Sequence, residues 1–113
     1  MKIKNIDEIA ANRLGIPGAK DVSVRLLIGP EDGAVNFVMM LLALAPGGHT
    51  PDHSHPWEEE IFVRGGEGTL STQEGKKTIR AGDVLYFNPN EPHQFVNTSA
   101  GSLECICVIP RRK

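Results

Sequence analysis

The chain is short of cysteine, long apolar runs, charge of one sign and helical periodicity, and each shortage removes a class of protein. Twelve Lys and Arg against 14 Asp and Glu leave a net charge of −2, whereas a nucleic-acid binder carries a basic surplus gathered on one face. The two cysteines, Cys105 and Cys107, are joined by one residue, a poor geometry for a disulfide. They read as reduced, buried thiols, which points to the cytoplasm. The longest apolar run, Phe37 to Ala45, is nine residues, short of the ~20 that a membrane-spanning helix needs. Met1 to Gly18 alternates charged and apolar residues without the apolar core of a secretory signal. No lipidation motif closes the sequence, and Arg111, Arg112 and Lys113 read as a solvated tail. The expectation is a cytoplasmic protein with no nucleic-acid and no membrane partner. At 113 residues there is room for one hydrophobic core, so a two-domain dinucleotide enzyme is excluded.

What is present is an all-β rhythm. Short runs of Val, Ile, Leu and Phe are separated by Gly, Pro, Asn and Asp clusters, which predicts strands over Val22 to Ile28, Val35 to Ala45, Glu59 to Arg64, Gly68 to Thr72, Lys77 to Arg80, Val84 to Phe87, Gln94 to Asn97 and Leu103 to Ile109. Gly65-Gly66 reads as a hairpin turn, Pro46-Gly47-Gly48 as a turn, and Ile6 to Leu14 as room for a helical turn or two. So many short strands in so small a domain suit a jelly roll or small barrel. Val35 to Ala45 is apolar at odd and even positions alike, apart from Asn36. A strand with one wet face alternates, so both faces of this one are expected to be covered, the second by another sheet or a partner subunit. A homodimer is the natural expectation.

All four histidines fall between positions 49 and 93. His53 and His55 stand two apart, so in extended backbone both imidazoles point to one side. A carboxylate from Glu58, Glu59 or Glu60 follows shortly, and His93 comes later. Three imidazoles and one carboxylate form a donor set for a divalent first-row metal.

These residues resemble the cupin superfamily, and in particular its small single-domain bacterial members of the cupin 2 conserved-barrel type. The first cupin motif, G-x5-H-x-H-x3(or 4)-E-x6-G, is met at every position by Gly47, His53, His55, Glu59 and Gly66. The second, G-x5-P-x-G-x2-H-x3-N, is met by Gly82, His93 and Asn97, with Asn88 and Asn90 in the Pro and Gly places. Asn tolerates left-handed backbone better than most residues, so the turn can survive the exchange. Only Glu59 keeps both halves of the first motif in register, and in a strand it shares a face with Ile61 and Val63. His49 matches no motif position and is expected on the surface or the pocket rim.

The resemblance implies an all-β, double-stranded β-helix (jelly-roll) barrel, a single cupin domain over 1–113. Its conserved core would cover about 35–109, with 1–34 as N-terminal strands and a turn that are a candidate part of the dimer interface. It implies His53, His55, Glu59 and His93 as ligands of one divalent transition metal per chain (Mn, Fe, Ni, Cu or Zn), with Trp57, Phe95 and Cys107 as candidate pocket-lining residues. Four protein ligands in an octahedral shell leave open positions for water, dioxygen or substrate. The function implied is an oxygenase-like metalloenzyme, such as an iron or manganese dioxygenase, acting on a small organic substrate. Cupins also include isomerases, decarboxylases and binding modules. A metal-dependent isomerase or decarboxylase, or a non-catalytic small-molecule or metal-binding module, therefore stands beside that reading. A helix-turn-helix regulator does not, because the roughly 20 residues before the first strand cannot hold that domain.

Overall fold

In the computed structural model, which describes residues 1–112, the alternating apolar runs pair as antiparallel strands. They are β1 (Asn12–Arg13), β2 (Lys20–Ile28), β3 (Phe37–His49), β4 (Glu59–Gly65), β5 (Glu67–Thr72), β6 (Gly75–Arg80), β7 (Val84–Phe87), β8 (His93–Val96) and β9 (Leu103–Pro110). Single 3-10 turns lie at Ile6–Glu8 and Pro30–Asp32. The helical turn expected within Ile6 to Leu14 is the first of these, and the rest of the stretch leads into β1, whose Asn12 and Arg13 pair with Val24 and Ser23 of β2.

The strands run β6-β5-β8-β3-β9-β4-β7, with β2 also on β3, and the curled sheet is the jelly-roll barrel. β3 is the strand on which both halves depend. Leu44 is opposite Leu103 of β9 on one edge and Val22 of β2 on the other, while His49, farther along, is opposite Val96 of β8. The expected break at Pro46-Gly47-Gly48 is therefore a bend inside a continuing strand. Gly47 takes φ +80, its N–H donates to the Asn97 carbonyl, and the Asn97 N–H donates to the Gly48 carbonyl. The peptide groups that a turn would have left to solvent are taken up by the β8–β9 connection.

Gly65-Gly66 is likewise corrected. It joins no hairpin, because β4 pairs with β7 and β9 whereas β5 pairs with β6 and β8. It is the corner at which the chain leaves one half of the barrel for the other.

The core follows from inward-facing alternate residues. Leu44, Val63, Leu103 and Cys107 are fully buried, with Ile61, Leu70, Ile79 and Phe87 around them. Burying each large aliphatic side chain stabilises the fold by about 1.5–3 kcal/mol. On the other face of β3, part of the cover comes from the chain itself. Ile6 and Ile9 approach Leu27 and Met39, and Arg25 Nη1 donates to the Ile6 carbonyl. Phe37 remains exposed.

Candidate metal centre

The His53–His55 loop between β3 and β4 is tied by its backbone to the start of β8. The His93 N–H donates to the His53 carbonyl at 2.9 Å, the His53 N–H returns to the His93 carbonyl at 3.3 Å, and the Asn90 N–H donates to the His55 carbonyl at 2.6 Å. Asn90 has φ +67, the left-handed backbone that its motif position demands. One turn earlier Thr50 holds β8 from both sides: its N–H donates to the Phe95 carbonyl and its Oγ1 accepts from the Phe95 N–H. Residues far apart in sequence are thus locked together before any side chain is considered.

The rings of His53, His55 and His93 converge, with one ring nitrogen of each within 4.8 Å of the others. His55 Nδ1 lies 2.8 Å from the Trp57 carbonyl, and His93 Nδ1 lies 2.8 Å from the Glu91 carbonyl. A carbonyl can only accept, so both Nδ1 atoms carry a proton, and in the neutral rings this leaves both Nε2 lone pairs for a metal. This is the arrangement by which proteins aim imidazole at a metal. Flat partners fix the planes: His55 stacks on Trp57 at 4.5 Å and His93 on Phe87 at 4.1 Å between ring centroids.

Glu59, with Ile61 and Val63, is on the inward side of β4, while Glu60 and Arg64 face out. Its Oε1 is 3.2 Å from His55 Nε2 and 3.7 Å from His93 Nε2. Burial pushes this carboxyl above the usual range, against the pull of His55. Burial also lowers the pKa of His53, with the charge of His55 adding to it, and that of His93. Neutral imidazoles are the form that binds metal. A buried carboxylate is costly alone, and a cation shared with the imidazoles would offset that cost. The donor set fits a divalent transition metal, and the three histidines are positioned to hold one.

The centre opens into a cavity of about 400 Å³. Its walls are apolar: Val24 from β2, Met40 and Leu42 from β3, Ile109 from β9, and Phe95 from β8. Trp57 stands on its lining as well. Cys107 does not; it is fully buried in the core with its thiol against the Glu59 carboxyl, and burial pushes that thiol well above its ordinary pKa. His49 stands apart from the cluster at the end of β3, its Nδ1 3.3 Å from the Thr50 carbonyl.

Two corrections concern residues that local sequence reads as unremarkable. The walls from β2 and β3 become pocket residues only because those strands curl over the site. Of the expected solvated tail, Arg111 is half-buried, whereas Arg112 is exposed as expected but is not free of contacts. Arg111 Nη1 donates to the Ala34 carbonyl at 2.8 Å, and Arg112 lies over the Trp57 ring at 4.2 Å on the cavity lining. Charge alone gave no signal of this; Lys113 lies outside the described residues.

A curled antiparallel barrel with three imidazoles converging on one point defines the class: a β-barrel protein equipped to bind a metal. Residues 40–109 match the family model described as "Cupin domain", and the chain belongs to the cupin family. It is 30% identical over 118 aligned positions to auxin-binding protein 1 of Arabidopsis thaliana, covering 96% of this chain and 59% of that protein. With an oxalate-binding protein of Thermotoga maritima it shares 35% identity over 69 residues, 60% of this chain and 57% of that one. The chain thus spans under two thirds of the length of both relatives. Among solved structures, the polyketide cyclase RemF from Streptomyces resistomycificus is similar with a TM-score of 0.95 at 32% identity, covering 99% of this chain and 80% of that one.

Proposed function

We propose that this cupin is a mononuclear metalloenzyme acting on a small, largely apolar organic substrate, with His53, His55, Glu59 and His93 as the ligands. The observation that carries the reading is the convergence of the three imidazoles, two of them oriented by Nδ1–H to carbonyl bonds, at an apolar cavity. A divalent Mn, Fe, Ni, Cu or Zn held there would act as a Lewis acid toward a carbonyl or enolate oxygen and, if redox-active, would also serve oxygen chemistry.

The chain's own contribution is positioning and dryness. Trp57 and Phe87 hold two rings in plane, and the apolar walls keep water from a reactive enol. The oxygenase reading that the resemblance implies asks for these properties, and so does ring closure of a 1,3-dicarbonyl chain. The second is favoured by the likeness to RemF across nearly the whole chain. The names of the auxin-binding and oxalate-binding relatives support a third reading, a binding module without turnover. A second copy of this chain is the partner we assign to the exposed face of β4 and β7.

Elemental analysis of protein purified without a metal-affinity tag tests the centre. Close to one equivalent of metal per chain is expected, with most of it lost in His53→Ala, an exposed position whose truncation opens no core cavity. A metal-free wild type, or unchanged content in the variant, defeats the reading. On loaded protein, oxygen uptake with catechols, flavonols or 1,3-diketones supports the oxygenase, and an absorbance change from ring closure without oxygen uptake supports the cyclase. No turnover of either kind leaves the binding module.

A further inference from the structure

Inside the cavity, polar groups are few. Thr50 spends its hydroxyl on the Phe95 N–H. Apart from the imidazoles, the charged side chains on the lining among the described residues are Glu59, engaged with His55 and His93, and Arg112. Among the described residues, a substrate that carries a negative group away from the centre has one cationic side chain on the lining to meet it.

Arg112 is placed there by its neighbours. Pro110 pairs with Phe37, the Arg111 N–H donates to the Asn36 carbonyl at 2.8 Å, and Arg111 Nη1 donates to the Ala34 carbonyl at 2.8 Å. The segment after β9 is therefore fastened to the start of β3 up to the residue before Arg112. The guanidinium then lies 4.2 Å from the centroid of Trp57, itself stacked on His55 at 4.5 Å. A cation–π contact uses no N–H acceptor, so the N–H donors of the guanidinium remain for an anion. Pre-ordering on the indole also lowers the entropy that a free arginine would lose on binding.

We propose that Arg112 is the anion-recognising residue of this cavity, and that the substrate class is therefore a flat, apolar organic acid. Its carboxylate or phenolate would pair with Arg112 beside Trp57 while its ring system lies against Val24, Met40, Leu42 and Ile109. The proposal rests on reading the cavity as an organic-substrate site, but not on the metal being bound.

The test is calorimetric titration with 2-naphthoate and its neutral amide, 2-naphthamide, on protein as purified and again after chelation of metal. In wild type the acid should bind about tenfold more tightly than the amide, the scale of a charge-assisted hydrogen bond at a partly open site. Arg112→Gln should bring the two within about twofold by weakening the acid alone, and Arg112→Lys should restore part of the gap, since Lys keeps the charge without the planar fork. After chelation the wild-type preference should persist and still vanish in Arg112→Gln. No preference for the acid, no binding of either probe, or a preference that Arg112→Gln leaves intact overturns the proposal. Metal content of the same samples is read separately, so loss of the metal reading and loss of the Arg112 reading give different results.

Discussion

Asn97 is fully buried and satisfied at both ends of its amide. Its Nδ2 donates to the Leu44 carbonyl at 2.8 Å and the Gly101 carbonyl at 2.7 Å, and its Oδ1 accepts from the Ser99 N–H and Oγ. The asparagine of the second cupin motif is thus a clamp on the β8–β9 connection, which in turn holds the bend in β3. Asn97→Ala would strand buried carbonyls, and a loss of about 2–4 kcal/mol is expected from that mechanism. Urea denaturation should show it as a lower midpoint with unchanged slope; a loss under about 1 kcal/mol would contradict the clamp. At this scale the site was partly legible. The spacing that puts His53 and His55 on one side, and the parity that puts Glu59 with Ile61 and Val63, are carried by the sequence, and the Asn90 backbone followed from residue type. Arg112 and the walls from β2 were not legible, since an arginine near the end of a strand looks the same whether it meets water or an indole.

The β4–β5 corner is an element whose conformation depends on one glycine. Gly66 has φ +80, and a Cβ built there would lie 2.1 Å from the Ser102 carbonyl oxygen, which is backbone and cannot step aside. Gly82, also a motif glycine, has φ +97 but open space around it. Gly82→Ala should therefore cost only the left-handed backbone penalty of about 1–2 kcal/mol. Gly66→Ala should cost distinctly more, enough to lower the thermal midpoint much further or to prevent folding. Equal midpoints for the two variants would refute this account. The glycine pair is visible in the sequence as a chain reversal, but whether it closes a hairpin or turns a corner depends on which strands lie beside it. The same holds for β3, which continues through a Pro-Gly-Gly segment because distant peptide groups satisfy it.

On the scale of the whole molecule, one surface is covered at its β3 end but left open over β4 and β7 among the described residues. The rows Leu41–Ile106–Phe62–Val84 and Met39–Val108–Glu60–Tyr86 run in register across β3, β9, β4 and β7; Leu41 is buried, while Phe62, Val84 and Tyr86 are 47%, 76% and 50% exposed. A contiguous apolar face on a small domain marks an association surface. With a second copy as its partner, light scattering at micromolar concentration should give about twice the 12.3 kDa chain mass, and Phe62→Glu should return it to one chain. A wild-type mass of a single chain would dispose of the assignment. No helix among the described residues is long and apolar enough to cross a membrane.

By itself, the sequence determined the strand alternation, the number of cores, the spacing that pairs His53 with His55 and the parity that turns Glu59 inward with Ile61 and Val63. These are local properties, carried by backbone periodicity and by the spacing of apolar residues. Only the tertiary structure decided that His93 meets the other two histidines, that Gly66 is a corner, that β2 and β3 wall the cavity and that Arg112 stands on Trp57. Those outcomes depend on contacts between residues tens of positions apart, and they exist only once the barrel has closed.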